Sequence, residues 1–460
     1  MRGGIVEVGF EDNLPRGRLT IVNSRACGAF ATMPSVKTRS VMVVGLACTA
    51  LALALASQAC GSRGTQSFEE PVSDLSPPPR AAPDASVMAA GGGDTDAALD
   101  AAPAPDPAPP GVGLMHTTAQ LDFMRAHAKQ EPWASATQQL LGDAEAALTR
   151  TPQAEADFDV PFYYGQPAAS QAAKEGLRQD ALAAYALSLG YQLSESRAKR
   201  AQYADKAITL LDAWATTNKT VSGADGNLVV LYAGIPLLYA GDLVMRYGGW
   251  KQASRAAFTA WVGTVFAKSA AAIKSNGNNW GDWGTLGVLA SAALVHDNVT
   301  VLAEVERIKA RIANDIDATG ELPEENKRTN SGMWYTFFAL TSMTTAAHIA
   351  SNVTGVDLFA YTAPNGRTIM LALEKEFFYA THPDQWPYHL PAGVAGDAWR
   401  QLYPCADEVE MPTPTGWPGN LFEMMSDVYK VQAWEDWVAP HRPERGYHAW
   451  IYVTLARQSP

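Results

Sequence analysis

The fold class is decided by two stretches, Asp180-Ala-Leu-Ala-Ala-Tyr-Ala-Leu-Ser-Leu189 and Tyr203-Ala-Asp-Lys-Ala-Ile-Thr-Leu-Leu-Asp-Ala-Trp214. Their apolar residues recur at steps of three and four, which places them on one face of an α-helix. Alternating apolar and polar runs, the pattern typical of β-strands, are scarce in the chain. The same helical spacing recurs in about twelve segments: 121–127, 134–148, 179–193, 198–216, 227–246, 251–275, 285–296, 301–316, 332–351, 367–380, 421–437 and 446–457.

Amphipathic helices in this number predict an all-α domain built from stacked antiparallel hairpins. Such hairpins close either as an open solenoid or as an α/α toroid, an incomplete barrel of helical hairpins. No repeat of roughly 34 residues or a similar length is visible, which favours the toroid. The inner helices and end loops of a toroid line a long groove, and a long groove suits a polymer chain.

The N-terminal segment, residues 1–60, carries a net charge of +3 and one apolar run at 41–56. Lys37 and Arg39 precede this run and small residues follow it, which is typical of a secretory signal. The signal has ordinary proportions if translation starts at Met33, and we therefore predict that start.

Cys60 lies where the signal of a bacterial lipoprotein places its acylated cysteine. Ser57 stands where a leucine is usual, so an ordinary cleavage site beside a free cysteine is the alternative. Residues 61–113 hold ten of the 29 prolines and a net charge of −6, which predicts a disordered tether. We predict a periplasmic or cell-surface protein, lipid-anchored to the membrane at Cys60 or secreted, with its globular domain at 114–460.

The composition of the chain excludes several classes of protein. With 460 residues, 47% of them hydrophobic and 18% charged, it is too apolar for a disordered protein and too sparsely charged for a coiled coil. A net charge of −12 argues against nucleic acid as a partner, and four cysteines exclude a disulfide-dense scaffold. The sequence has no His-Glu-x-x-His spacing, phosphate loop, dinucleotide fingerprint or serine nucleophile elbow. We expect no metal and no cofactor, and we expect a monomer.

Asn276-Gly-Asn-Asn-Trp-Gly-Asp-Trp-Gly284, at the junction of two predicted helices, is the first candidate site. Asn and Gly can simply cap and break helices, but a turn does not require two Trp within four residues. Trp rings stack on sugars, and Asn amides donate to carboxylates and hydroxyls. We therefore predict substrate contacts at Asn278, Trp280 and Trp283.

Gly320-Glu-Leu-Pro-Glu-Glu-Asn-Lys-Arg328 is the second candidate, a polar loop that enters the predicted helix carrying Tyr335. Arg328 and Tyr335 are seven residues apart, so they lie on one side of a helix if both are helical. A fixed Arg lowers the cost of forming phenolate, and a phenol can then act as general base and acid. The alternative is that the charged residues around Lys327 form only a solvated helix start.

These residues carry a resemblance to the alginate lyase superfamily, specifically to the poly(mannuronate)-lyase type. The resemblance extends from about Asp159 to the C-terminus and includes Val160-Pro-Phe-Tyr-Tyr164. Its most specific parts are the helix at 203–214 and the Arg-to-Tyr spacing. It implies an α/α toroid that cleaves uronate polymers by β-elimination, with Tyr163 and Tyr164 among the substrate-binding residues.

The resemblance also implies roles for three residues. Asn279 and Arg328 would neutralise the C5 carboxylate of the uronate, and Tyr335 would remove and return protons. The chemistry needs such donors, because the C5 proton is only weakly acidic until charge on the carboxylate is stabilised. The same phenol can then protonate the leaving O4 if both atoms lie on one face of the sugar ring.

One position departs from the family pattern, since Trp280 stands where the family typically has a His after the two Asn. That His helps to neutralise the carboxylate or acts as a base on the opposite face of the sugar. His389 and His448 are candidates for a substitute, whereas His348 is expected to be a core histidine of an Ala-rich helix. Without a substitute, the chain could be a glycan-binding protein that does not catalyse.

We predict a polysaccharide lyase that acts on an acidic, alginate- or mannuronan-like polysaccharide. The alternatives are a non-catalytic, glycan-binding surface lipoprotein and a toroidal glycoside hydrolase that pairs Asp282 with Glu324 or Glu325. Because the globular domain keeps a net charge of −9, a polyanionic substrate requires a local basic pocket around Arg328. We assign Lys327 to that pocket and His389 to the same substrate-binding surface.

Overall fold

The computed structural model of the chain describes residues 113–389 and 411–459. The predicted signal, Cys60 and the greater part of the tether lie outside these residues. The first half of the described chain contains these elements: α1 (Thr118–His127), α2 (Trp133–Ala147), β1 (Asp157–Asp159), α3 (Pro167–Leu193), α4 (Arg197–Thr217), β2 (Thr220–Ser222), α5 (Gly226–Val244), α6 (Gln252–Trp261) and α7 (Ala267–Ile273).

The second half begins at the asparagine motif and is also mainly helical. Its elements are α8 (Asn279–Leu294), α9 (Asn298–Asp315), the single turn α10 (Pro323–Asn326), α11 (Gly332–Thr354), α12 (Ile369–Thr381), α13 (Gly419–Tyr429), α14 (Gln432–Val438), β3 (Gly446–Tyr447), β4 (Trp450–Ile451) and α15 (Val453–Ala456). β1 pairs in parallel with β2, and β3 pairs antiparallel with β4. The all-α prediction is confirmed.

The helices form an inner and an outer layer. The inner helices α3, α5, α8 and α11 pack against one another in that order, and the helices that connect them lie outside. α4 packs against α3 and α5, α7 against α5 and α8, and α9 against α8 and α11. This alternation of inner and outer helices is the α/α toroid that the sequence predicts.

The inner position of a helix follows from its composition. α5 is apolar on all sides, and a helix of this kind is stable only when it is surrounded by protein. It is long and apolar enough to span a membrane, as is the stretch Gln252–Ile273. In the folded domain, however, 83% of the apolar window of α5 is buried, so the helix forms part of the core.

The helix predictions were wrong in three places. Residues 446–457 form the β3–β4 hairpin and the short α15, because Gly446, His448 and Tyr452 all adopt positive φ. The segment 421–437 is two helices, since Lys430 ends α13 in the left-handed conformation. The segment 251–275 is interrupted by a π-helical turn, Val262–Phe266.

Candidate active site

The asparagine motif forms a tight connection between α7 and α8. Asn278 caps α8, and its side-chain oxygen accepts the backbone N–H of Trp280 at 3.2 Å. The chain then passes so close to itself that a Cβ at Gly281 would overlap the carbonyl oxygen of Asn276. Glycine at this position therefore lets Asn279 occupy the first turn of an inner helix.

Arg311 of α9 fixes this connection from outside. Its Nε donates to Asp282 Oδ1 at 2.6 Å, and its two terminal nitrogens donate to the carbonyl oxygens of Asn276 and Asn278, both at 2.9 Å. Arg311 and Asp282 are both buried. A buried guanidinium with this planar set of partners holds the asparagine motif in one conformation.

Asn279 is fully buried and is bound by Glu325 of α10. The backbone N–H of Asn279 donates to Glu325 Oε1 at 2.6 Å, and its side-chain Nδ2 donates to Oε2 at 2.8 Å. Burial raises the pKa of Glu325 to about 7, against the opposing effects of the Asn279 hydrogen bonds and the Arg328 charge. Asn279 Oδ1 is buried and has no hydrogen-bond partner among the described residues.

Arg328 and Tyr335 are in contact, although they do not share a helix. Arg328 precedes a 3-10 turn at Thr329–Ser331, and α11 begins only at Gly332. The guanidinium carbon of Arg328 lies 5.1 Å from the centroid of the Tyr335 ring, a cation–π contact. The prediction of proximity is therefore correct, but the helical geometry given as its reason is wrong.

The hydroxyl of Tyr335 is hydrogen-bonded to the hydroxyl of Tyr164, which comes from the loop after β1. This loop is anchored at Tyr163, whose backbone N–H donates to Asp225 Oδ2 at 2.7 Å. Asp225 directly precedes α5. The tyrosine loop is thus tied to one inner helix and delivers a phenol to another.

Both phenols of this pair are protonated at neutral pH. Burial raises the pKa of Tyr335 to about 12, while the Arg328 charge and the Tyr164 hydroxyl act in the opposite direction. Burial also raises the pKa of Tyr164 well above its ordinary value. Of the two, Tyr335 is therefore the one that its surroundings favour as phenolate.

A group of aromatic side chains at the inner helices is only partly buried, although the neighbouring residues of the same elements are buried. In α5 the side chain of Tyr232 is half-buried among buried neighbours, and in α11 the same holds for Trp334 and Tyr335. His448, at the turn of the β3–β4 hairpin, lies 5.4 Å from the Tyr232 ring and 6.4 Å from the Trp334 ring, centroid to centroid. Aromatic faces of this kind suit the binding of sugar rings.

Two cations lie among the side chains of the site. One is Arg328; the other is Lys174 of α3, whose Nζ is 3.4 Å from the hydroxyl of Tyr232. Burial raises the pKa of Asp225, and the Tyr163 N–H and the Lys174 charge oppose this effect. Lys174 was not predicted, because a single Lys within an Ala-rich helix gives no sign of a site.

Of four predicted substrate contacts, three are engaged within the protein, and Trp280 is the exception. Trp283 is fully buried and packs 5.0 Å from the ring of Phe338, so it offers no surface to a sugar. Lys327 is exposed and forms an ion pair with Glu324 at 2.6 Å. Asn278 is buried and serves as the helix cap, whereas Trp280 is half-buried at the edge of the core.

The histidines differ in their surroundings. His348 Nε2 lies 2.9 Å from the carbonyl oxygen of Met115, and burial lowers its pKa, as expected of a core histidine. His389 is exposed, with its Nε2 3.4 Å from the carbonyl oxygen of Pro383. Of the two candidate substitutes, only His448 lies beside the half-buried rings of Tyr232 and Trp334.

The carboxylates of the hydrolase alternative are engaged elsewhere. Asp282 is buried against Arg311, Glu325 is buried against Asn279, and Glu324 pairs with Lys327 on the surface. Within residues 113–389 and 411–459, no group of three His, Cys, Asp or Glu side chains is arranged to hold a metal ion. The arrangement instead combines hydrogen-bond donors, a guanidinium and a phenol.

Comparisons with known proteins agree with this fold. A family model described as alginate lyase matches residues 118–386. An alginate lyase from Bacteroides ovatus has 18% sequence identity and a TM-score of 0.58, over 76% of this chain and 100% of the other. Alginate lyase A1-III from Sphingomonas species A1 has 16% identity and a TM-score of 0.59, over 74% and 95%.

A Tyr-to-Phe variant of alginate lyase A1-III, complexed with tetrasaccharide, is similar to the same degree, with 16% identity and a TM-score of 0.59 over 74% of this chain and 94% of the other. At such identities these structures are informative about the fold alone. No curated protein matches the chain in sequence.

Proposed function

The chain belongs to the alginate lyase family, and from this premise we propose that it cleaves an alginate- or mannuronan-like, uronate-containing polysaccharide by β-elimination. One observation carries the proposal. The Tyr335 hydroxyl is hydrogen-bonded to Tyr164 while the Tyr335 ring lies against the guanidinium of Arg328. A phenol in these surroundings can exchange a proton with a substrate in the groove.

We assign the carboxylate of the bound uronate to Arg328 and Asn279. Removal of the C5 proton delocalises negative charge onto this carboxylate, and preorganised donors stabilise that charge in the transition state. Arg328 supplies a full positive charge. Asn279 is buried and one N–H of its amide donates to Glu325, so the amide has one further N–H for the carboxylate. Arg311 holds this helix start in place. Because these donors are already fixed, they cost little reorganisation during the reaction.

Tyr335 carries the proton from one substrate atom to another. The Tyr335 hydroxyl first loses its proton to solvent. As phenolate it then takes the proton from C5; the C4–O4 bond breaks, a C4=C5 double bond forms, and the electron pair passes to O4. The phenol returns the same proton to O4, which regenerates the phenolate. Tyr164 donates its hydrogen bond to the phenolate, and Arg328 lowers the energy of that ion. This route needs no second base, which accommodates Trp280 at the position of the family His.

Tyr335→Phe tests the proposal. The variant is expected to form no unsaturated, near-ultraviolet-absorbing product from mannuronan while still binding the polymer. Tyr361→Phe is the matched control, because Tyr361 lies in the loop after α11, with its ring 5.7 Å from the ammonium nitrogen of Lys309 on the outer helix α9. Full lyase activity of the Tyr335 variant would refute the role of this phenol.

The same product assay separates the alternatives. A lyase gives unsaturated ends, a glycoside hydrolase gives reducing ends without unsaturation, and a glycan-binding protein gives neither. The engaged carboxylates of Asp282 and Glu325 favour the first outcome over the second.

We retain the proposals that Cys60 is acylated and that the domain acts outside the cytoplasm as a monomer. Expression of the full chain with Cys60→Ala should move the protein from the membrane fraction to the soluble fraction. Retention of the variant in the membrane fraction would refute the anchor, and size-exclusion chromatography with light scattering tests the monomer.

A further inference from the structure

We propose that the end of the domain opposite the candidate active site binds the surface of an anionic membrane. The binding surface consists of a basic pocket between α5, α6 and α8 and an apolar patch at the start of α9. The inference does not depend on the lyase chemistry, but the orientation that it gives the domain rests on the proposed acylation of Cys60.

The pocket and the candidate active site lie at opposite ends of the inner helices. Asn279 and Tyr335 stand at the starts of α8 and α11. The pocket is lined by Met245, which directly follows α5, and by Leu294, the last residue of α8. Because α8 has 16 residues, its two ends are about 24 Å apart. A partner in the pocket would therefore leave the active site open.

The pocket has a volume of about 700 Å³ and a positive charge. Arg246, Arg255 and His296 line it, and no Asp or Glu is among its described lining residues. Nη1 of Arg255 donates to the carbonyl oxygen of Met245 at 2.7 Å, so this guanidinium also stabilises the end of α5. Arg246 is exposed, as is Lys251 just before α6. On a domain of net charge −9, such a surface favours an anionic partner.

An apolar patch continues from the pocket onto α9. Val295 lines the pocket and is 41% exposed, while Val299 and Leu302 in the first turns of α9 are 81% and 55% exposed. Val299 and Leu302 are three residues apart and so lie on one face of the helix. Cations beside exposed aliphatic side chains are typical of proteins that bind a membrane surface, where the cations meet lipid phosphates and the aliphatic groups enter the headgroup region.

One carboxylate stands beside this patch. Asp297 lies between Val295 and Val299 in the chain, and its side chain accepts the backbone N–H of Thr300 at 3.1 Å and the Thr300 hydroxyl at 2.6 Å. Asp297 thereby caps α9. It lowers the local positive charge, but it does not line the pocket that contains the two arginines.

The chain enters the domain at the same end as the pocket. The backbone N–H groups of Gly113 and Leu114 donate to Asp242 Oδ2 at 3.0 and 2.8 Å, and Asp242 lies in the last turn of α5, shortly before Arg246. Residues 61–112 connect this point with Cys60. A flexible chain of that length has an r.m.s. end-to-end distance of about 40 Å, so an acylated Cys60 would keep the surface at a high effective concentration near the lipid. A weak contact then suffices to turn the active site away from the membrane.

A uronate polymer is the other anionic partner with suitable charge. Sugar rings bind on aromatic faces, and the described lining of the pocket contains no Trp, Tyr or Phe. The exposed aliphatic side chains of Val299 and Leu302 also match lipid better than a polymer of hydroxylated rings. A membrane therefore fits this surface better.

Cosedimentation with vesicles tests the inference. With lipid in excess, full-length Cys60→Ala should bind vesicles that contain phosphatidylglycerol more strongly than vesicles of phosphatidylcholine alone, and added salt should reduce the difference. Arg246→Ala in this background should lower the partition onto phosphatidylglycerol vesicles about fivefold. Val299→Ser should lower it as well, without changing its dependence on salt.

Lys268→Ala is the matched control in the same background. Lys268 is an exposed cation at the start of α7, about 20 Å further along the outer helices than Arg255. Its removal should leave the partition nearly unchanged. All of these variants should keep the lyase activity of their parent on dissolved mannuronan, because none of the substituted residues lies in the candidate active site.

The outcomes separate the inference from the proposed function. Equal partition onto the two kinds of vesicle, or equal effects of Arg246→Ala and Lys268→Ala, would overturn the membrane surface and leave the lyase proposal intact. If Arg246→Ala instead weakens the binding of mannuronan to full-length Tyr335→Phe and leaves vesicle binding unchanged, the pocket is a polymer site and the inference is wrong. Vesicle binding as expected without any unsaturated product from the unmodified protein would overturn the lyase proposal alone.

Discussion

Asn279 and Tyr335 both lie near the start of an inner helix, but their surroundings differ. Asn279 is fully buried, and its connection is fixed by the charged hydrogen bonds of Arg311. Tyr335 is half-buried and is held by a hydrogen bond with the Tyr164 hydroxyl and by a cation–π contact with Arg328. The half of the site that is proposed to bind the carboxylate is therefore rigid, whereas the half that is proposed to move the proton is partly exposed.

Removal of the support for the rigid half should have the largest effect. Arg311→Met leaves Asp282 as a buried charge without its partner, and the free energy of unfolding is expected to fall by about 3–5 kcal/mol. Chemical denaturation measures this change. Arg307→Met, on the same helix but more exposed, should cost under about 1 kcal/mol. Equal losses for both variants would mean that Arg311 contributes no more to stability than Arg307 does.

Tyr164→Phe tests the half of the site that contains Tyr335. The variant removes one hydrogen bond to the Tyr335 phenolate, and hydrogen bonds to charged groups contribute about 1.5–3 kcal/mol. Steady-state kinetics should show kcat/KM about 10- to 100-fold lower, with oligosaccharide affinity and melting temperature nearly unchanged. Unchanged kinetics would show that Tyr335 works without this partner.

Substitution of two tryptophans tests which of them belongs to the core and which contacts the substrate. Trp283→Phe creates a small cavity in the core and loses no hydrogen bond made by Nε1, so stability should fall by about 1–3 kcal/mol while KM stays constant. Trp280→Phe should have the opposite signature, with a higher KM and little loss of stability. A rise in KM for Trp283→Phe would show that Trp283 contributes to substrate binding after all.

Lys327→Ala should have the smallest effect. Its ion pair with Glu324 is exposed, and such pairs contribute about 0–1 kcal/mol. Melting temperature and kcat/KM are expected to change little at any ionic strength. A KM that rises on substitution and depends on salt would place Lys327 in the basic pocket after all.

The sequence predicted the elements of the fold better than their junctions. Helical spacing is a local property, so inner and outer helices were found wherever apolar residues recur every three or four positions. The segment 446–452 has the same spacing, and two of its three positive φ values fall on His448 and Tyr452, residues that give no warning of a turn. Backbone conformations imposed by packing have no local signature at such positions.

The candidate site residues that stand in a local motif were found from the sequence. The contacts between residues far apart in the chain were not. Asn279, Arg328 and Tyr335 stand in two polar motifs whose residue types suggest chemistry. The partnership of Tyr335 with Tyr164 joins residues 171 positions apart, and no local pattern contains it. Glu325 shows the same limitation, because its surface-like sequence context gives no hint that the start of α8 buries it.

The contact between Tyr164 and Tyr335 also has a kinetic consequence. Its two hydroxyls come from a loop ahead of the first inner helix and from the fourth inner helix, so it forms only when the whole succession of helices is in place. Individual helices need only local contacts and form early in folding. During refolding from denaturant, helicity should therefore recover before catalytic turnover. The delay between the two signals would measure how long the Tyr164–Tyr335 contact takes to form after the helices.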